Sequence, residues 1–143
     1  MNKKKILFLI PFFLVAGFLL YCWTTILIGD VIATWRHYAG LLLFFSILFL
    51  FFKHFTKSVI GLGIFLLFAT FNVLAITPAI TTSWLNIGGL STPPVQLLSL
   101  GIFALYFILN MDTLINIQLD YKEANEQKAK NRLTDAAKTG FVK

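Results

Sequence analysis

Asp112 is the residue of this sequence with the clearest capacity for chemistry. It follows the apolar run that begins at Val95, and it is the only acid within a predicted membrane span. A carboxylate inside a membrane is costly to place there and commonly serves to handle protons or cations. Asn116 follows four residues later, so a helix places both side chains on one face. We therefore treat Asp112 and Asn116 as candidate binding residues.

The depth of Asp112 leaves a structural interpretation open beside the functional one. In a span that descends from Val95, Asp112 lies about 25 Å from the outer end, close to the inner edge of a ~30 Å hydrocarbon core. There its carboxylate reaches water or pairs with Lys53, His54 or Lys57 in the turn between two earlier spans. Asn72 lies ~21 Å above that turn, so the sequence does not bring Asn72 and Asp112 into one site.

The remaining reactive residue types form no recognisable catalytic or metal-binding set. Cys22 is the single cysteine and sits in an apolar run. His37 and His54 flank one predicted span, which places them at opposite membrane faces. An active site needs several groups in mutual geometry, and one histidine is a poor ligand set for a metal. We therefore predict no enzyme activity, no metal and no cofactor.

Long apolar runs determine the predicted fold class. The 143 residues are 58% hydrophobic and 13% charged, whereas soluble domains carry about 25% charged residues. Four runs are long enough to cross a bilayer, which predicts an all-α membrane protein with a four-transmembrane-helix up-down bundle. The predicted spans cover about residues 6–28, 36–52, 58–76 and 95–115. The first run exceeds the core of a signal peptide, so we expect it to be retained as an anchor.

The basic residues predict the topology. Eleven of the twelve Lys and Arg residues fall in the N-terminal tail, the 53–57 turn and the C-terminal tail, and only Arg36 falls on the other side. The positive-inside rule then places both termini in the cytoplasm, in a multi-pass protein of the cell inner (cytoplasmic) membrane. Acids are interspersed in the basic tail, which argues against binding of a nucleic-acid backbone.

The loop of residues 77–94 carries no charge and contains Trp84. Uncharged loops of this length are uncommon and often functional, so Trp84 is a candidate binding residue in a lid or docking surface. The alternative, which we favour, is a segment on the outer leaflet with Trp84 at the headgroup level. Thr92 and Pro93 are predicted to cap the last helix.

The last span is predicted to continue into a charged cytosolic helix. We divide the chain into a transmembrane domain, residues 1–118, and a C-terminal helix or tail, residues 119–143. The polar variety of the sequence is concentrated in this tail and in the outer loop. We therefore predict a non-catalytic subunit that contacts the lipid bilayer and binds a membrane or cytosolic protein through its tail. The alternative is a homo-oligomeric transporter of ions, protons or small molecules that uses Asp112.

Overall fold

The computed structural model describes residues 3–78, 86–87, 90–91 and 95–140. These residues form four helices: α1 (Lys3–Ile28), α2 (Trp35–Lys53), α3 (Phe55–Thr70) and α4 (Leu97–Gly140). Two short strands, β1 (Asn86–Ile87) and β2 (Leu90–Ser91), pair antiparallel in the loop before α4. In the described part of the chain, α1, α2 and α4 are long and apolar enough to cross a membrane. The structure therefore confirms the predicted helical fold class and, among the described residues, three helices that are long and apolar enough to cross a membrane. Contacts divide the chain into two compact units, Met1–Asn110 and Met111–Lys143.

Local sequence signals explain where the first two helices begin and end. Gly29 follows α1 with a φ of 93°, the left-handed conformation that glycine adopts at low cost after a helix. Thr34 precedes α2 in an extended conformation. His54 alone separates α2 from α3, and its backbone N–H donates to the Leu50 carbonyl at 2.6 Å. Because the connection is so short, α2 and α3 form an antiparallel hairpin.

Helix α3 is shorter than the predicted third span of residues 58–76. It ends at Thr70, and Asn72 then adopts a left-handed conformation with a φ of 58°. The chain continues without helix, yet Leu74, Ala75 and Ile76 are buried. The Ala75 N–H donates to the Arg36 carbonyl at 3.3 Å. This bond places Ala75 beside the start of α2.

Aromatic rings and glycines pack the helices of the first unit. Phe8 of α1 stacks on Phe51 of α2 with ring centroids 5.6 Å apart, and Phe12 stacks on Phe44 at 4.8 Å. The order of these pairs shows that α1 and α2 run antiparallel. Gly63 of α3 brings its backbone close to α4, since a Cβ there would lie 3.2 Å from the Tyr106 ring. The close approach expected at the small residues of this segment is present.

The bundle has two distinguishable ends. We call the end with the Lys53–Lys57 turn the turn end, and the end with Thr34 and Thr70 the loop end. Helix α4 starts at the loop end, where the Gln96 N–H donates to the Thr70 carbonyl at 2.9 Å. It descends beside α3, because Tyr106 reaches Val59. Large apolar side chains such as Phe13, Leu20 and Leu42 remain exposed on the outside of this unit.

Candidate functional site: buried polar groups in the helical bundle

A row of polar side chains on one face of α4 and on the residue that precedes it lies inside the first unit. Gln96, Ser99, Tyr106 and Asn110 are all buried. Together with buried Ile102, these residues follow one another at intervals of three or four positions. They therefore share one face of a helix. Polar groups inside an apolar bundle need partners there, because neither lipid nor packed side chains offer hydrogen bonds.

At the loop end, this row joins the irregular segment after α3. The Gln96 Nε2 donates to the Asn72 Oδ1 at 3.2 Å, and the Ser99 hydroxyl donates to the Gln96 Oε1 at 2.8 Å. The Thr70 hydroxyl donates to the Leu66 carbonyl at 2.8 Å. Both ends of the Gln96 amide are therefore used. The bond between Gln96 and Asn72 ties the non-helical segment after α3 to the start of α4, whereas the Thr70 bond stays within α3.

Toward the turn end, Tyr106 joins α4 to α3. Its hydroxyl donates to the Val59 carbonyl at 2.6 Å, and its ring lies against Gly63. Asn110 Nδ2 donates to the Tyr106 carbonyl one turn back, at 3.1 Å. Asn110 Oδ1 is buried and has no partner among the described residues. A buried acceptor without a partner costs about 1–3 kcal/mol, so this oxygen is the acceptor in the unit best placed for an additional donor.

His37 is the second buried group with unused hydrogen-bonding capacity. The Thr34 N–H donates to His37 Nδ1 at 3.0 Å, and the Thr34 Oγ1 lies 2.9 Å from the same nitrogen. Because Nδ1 accepts, the proton of the neutral ring resides on Nε2. His37 is 1% exposed, and Nε2 finds no partner in the described part of the chain. The His37 ring therefore turns inward beside the start of α2, whereas the neighbouring rings of Trp35 and Tyr38 are exposed.

Asp112 and Asn116 lie on α4 in the second unit, and both side chains are exposed. They are one helical turn apart, as the sequence predicted, and their exposed neighbours include Met111 and Ile115. Further along the helix, Asp120 and Glu123 are exposed as well. The structure thus leaves this polar face of α4 open to solvent or to a partner.

Two further predictions fall outside the described residues. Trp84, the third candidate binding residue, belongs to residues 79–85, and Thr92 and Pro93, the predicted cap of α4, belong to residues 92–94. All three assignments remain predictions. Among the described residues, no group of three or more His, Cys, Asp or Glu side chains is arranged to hold a metal ion.

Sequence reasoning missed the buried row on α4. Ser99, Tyr106 and Asn110 stand at spacings of seven and four, a pattern readable on a helical wheel. These polar residues are single positions in a run that is otherwise apolar, so the pattern is weak beside the charged face further along α4. Asn72 was predicted to bond a neighbouring helix, and its partner is Gln96, immediately before α4.

No known protein family, characterised protein or solved structure significantly matches this chain.

Proposed function

We propose that this chain is a non-catalytic integral membrane protein that binds a partner protein through the C-terminal part of α4. The observation that carries the proposal is the length of α4, which runs for 44 residues without interruption. At 1.5 Å per residue it extends about 66 Å, roughly twice the ~30 Å core of a bilayer. About half of this helix therefore has no membrane to cross and is available to a partner.

The surface of this second half fits a docking role. Every residue from 120 to 131 is exposed. Tyr121 is 70% exposed between charged neighbours. An exposed aromatic ring flanked by charge is typical of residues that anchor protein interfaces. Most buried polar side chains of the bundle, by contrast, donate to backbone carbonyls or to one another, which supports a structural role for the bundle.

The proposal includes four membrane crossings, although α3 has only 16 residues. That length is about 24 Å, less than the ~30 Å core. The bond between Ala75 and Arg36 supports a full crossing, because it returns the chain from the turn end to the level where α2 begins. Residues 71–75 complete the crossing as non-helical backbone, in which Leu74 and Ala75 are buried whereas Phe71 and Val73 are exposed.

The proposed orientation places both termini and the 53–57 turn in the cytoplasm. Four crossings put these segments on one side, and they hold eleven of the twelve Lys and Arg residues. The positive-inside rule supports this orientation in a cytoplasmic membrane.

Truncation tests the proposed docking role. The tagged chain is purified in mild detergent from its native membrane, and the accompanying proteins are identified by mass spectrometry. We expect a stoichiometric partner with the full chain and its loss when the chain ends after Lys122. A chain that lacks only residues 141–143 serves as the control and should retain the partner. A truncated chain that inserts normally and retains every partner contradicts the proposal.

A second candidate function is supported by the exposure of Asp112. A carboxylate between exposed apolar side chains suits the interface of a homo-oligomer that passes protons or cations along α4. In reconstituted vesicles, Asp112→Asn should then abolish flux, whereas Asp120→Asn, further along the exposed helix, should leave it unchanged. Equal flux in the wild type and Asp112→Asn eliminates this candidate.

A further inference from the structure

The exposed face of α2 carries an apolar groove. Its lining residues all belong to this helix and are Tyr38, Leu41, Leu42, Phe45, Ser46, Phe49 and Leu50. Phe45 and Phe49 are more than half exposed. The Ser46 hydroxyl is already hydrogen-bonded, because it donates to the Leu42 carbonyl at 2.9 Å. The groove therefore suits a hydrocarbon chain.

A positively charged side chain, that of Lys53, lies at the turn end of this groove. The Lys53 Nζ lies 4.7 Å from the centroid of the Phe49 ring. Lys53 is exposed, so its ammonium group remains open to a further ligand on the side away from the ring. The contact with Phe49 holds the charge at the point where the groove ends.

Nothing in the first unit neutralises this charge. Asp30 is the only acid before Asp112 in the sequence. It lies before α2, at the opposite end of that helix from Lys53. Within residues 3–78 and 95–110, Lys53 therefore has no counterion, and an anionic ligand would supply one.

We propose that this face of α2 binds one anionic phospholipid, with the phosphate at Lys53 and an acyl chain along the groove. The distance from Phe49 to Tyr38 along α2 is about 17 Å, close to half of a ~30 Å core. The groove thus matches the acyl chain of a lipid in one leaflet. This inference rests on the proposed membrane insertion and adds a ligand class to the bundle.

Native mass spectrometry tests the site. The full chain in detergent is titrated with phosphatidylglycerol and with phosphatidylcholine of identical acyl chains. We expect tighter binding of the first phosphatidylglycerol, and we expect Lys53→Gln to weaken it about fivefold, the effect of one lysine near an anionic headgroup. Phe49→Ala should weaken both lipids, because it removes the ring that lines the groove.

Lys57→Gln is the matched control, since Lys57 is an exposed lysine near the same turn but belongs to α3, whereas Lys53 ends α2 and lies over the Phe49 ring. It should change phosphatidylglycerol binding less than Lys53→Gln does. Equal losses in the two variants would overturn the site, because they would show a diffuse basic surface. Equal affinity of the wild type for the two lipids would also overturn it. Membrane crossing is measured separately by residue labelling, so failure of the lipid site is distinguishable from failure of the proposed function.

Discussion

At the scale of single residues, glycines allow close contacts between the elements of the first unit. Gly40 of α2 faces the irregular segment after α3, and a Cβ at this position would lie 2.9 Å from the Ala75 carbonyl oxygen. Gly63 gives Tyr106 room to reach α3. Helices in lipid have no hydrophobic driving force for association. Small residues of this kind allow the close van der Waals contact that holds them together instead.

Gly40→Ala should lower the stability of the bundle. The new methyl group meets a backbone oxygen, which cannot move away as a flexible side chain would, and overpacking of this kind costs about 1–3 kcal/mol. The midpoint of thermal unfolding in detergent should fall. Gly17→Ala is the control, because nothing lies within 4 Å of a Cβ at Gly17. A midpoint for Gly40→Ala equal to that of Gly17→Ala would contradict the packing described.

Tyr106→Phe should destabilise the contact between α3 and α4. The ring remains, but the hydroxyl that donates to the Val59 carbonyl is lost. Hydrogen bonds between membrane helices average about 0.6 kcal/mol and reach about 1.7, so we expect a small fall in the unfolding midpoint. Tyr121→Phe, on the exposed part of α4, should have no effect. If both variants unfold at the wild-type midpoint, the Tyr106 bond does not contribute to stability.

At the scale of elements, the ends of α1 and α2 could be predicted to within three residues. Gly29 supplied the stop signal for α1, and the basic turn supplied the end of α2. The end of α3 could not be predicted, because five of the six side chains of residues 71–76 are apolar and continue the hydropathy of a span. The helix ends at Thr70 because tertiary bonds from Gln96 and to Arg36 compete with continued helix. These partners are distant in the sequence, so local patterns do not reveal them.

Most of the candidate site was beyond prediction for the same reason. The residue types and spacing of Asp112 and Asn116 indicated a polar face on α4. Their exposure follows from their position on that face. The role of His37 was not predictable, since a histidine beside Trp35 and Tyr38 has the composition of an interfacial belt. Only the capping geometry with Thr34 shows that the ring turns inward. The antiparallel pairing of β1 with β2 agrees with the Gly-Gly dipeptide between them in the sequence, which is a hairpin signal.

Helix α4 should remain continuous where the sequence changes from apolar to charged. Spin labels at exposed positions Met111 and Asn131 are 20 residues apart, so a helix separates their backbones by about 30 Å. We expect a narrow distance distribution by pulsed electron paramagnetic resonance. Ala124→Pro should broaden it, because proline breaks a helix interior. A wild-type distribution as broad as that of Ala124→Pro would contradict a continuous α4.

At the scale of the whole molecule, the number of membrane crossings decides which compartment receives the charged part of α4. Helices α1, α2 and α4 are each long enough to cross, whereas α3 is shorter. If α3 and the segment after it cross together, the charged part of α4 shares a compartment with the 53–57 turn. If they do not cross, α4 delivers its charged part to the opposite compartment. The proposed cytoplasmic location of the docking segment requires the first arrangement.

Cysteine labelling from each side of the membrane decides between these arrangements. Cys22 is fully buried, so the wild-type chain provides an unlabelled background, and single cysteines are introduced at the exposed positions Ile32, Thr56 and Asn125. We predict that a membrane-impermeant reagent labels Thr56→Cys and Asn125→Cys from the same side and Ile32→Cys from the other. Labelling of Asn125→Cys from the side that labels Ile32→Cys would contradict the four-crossing bundle.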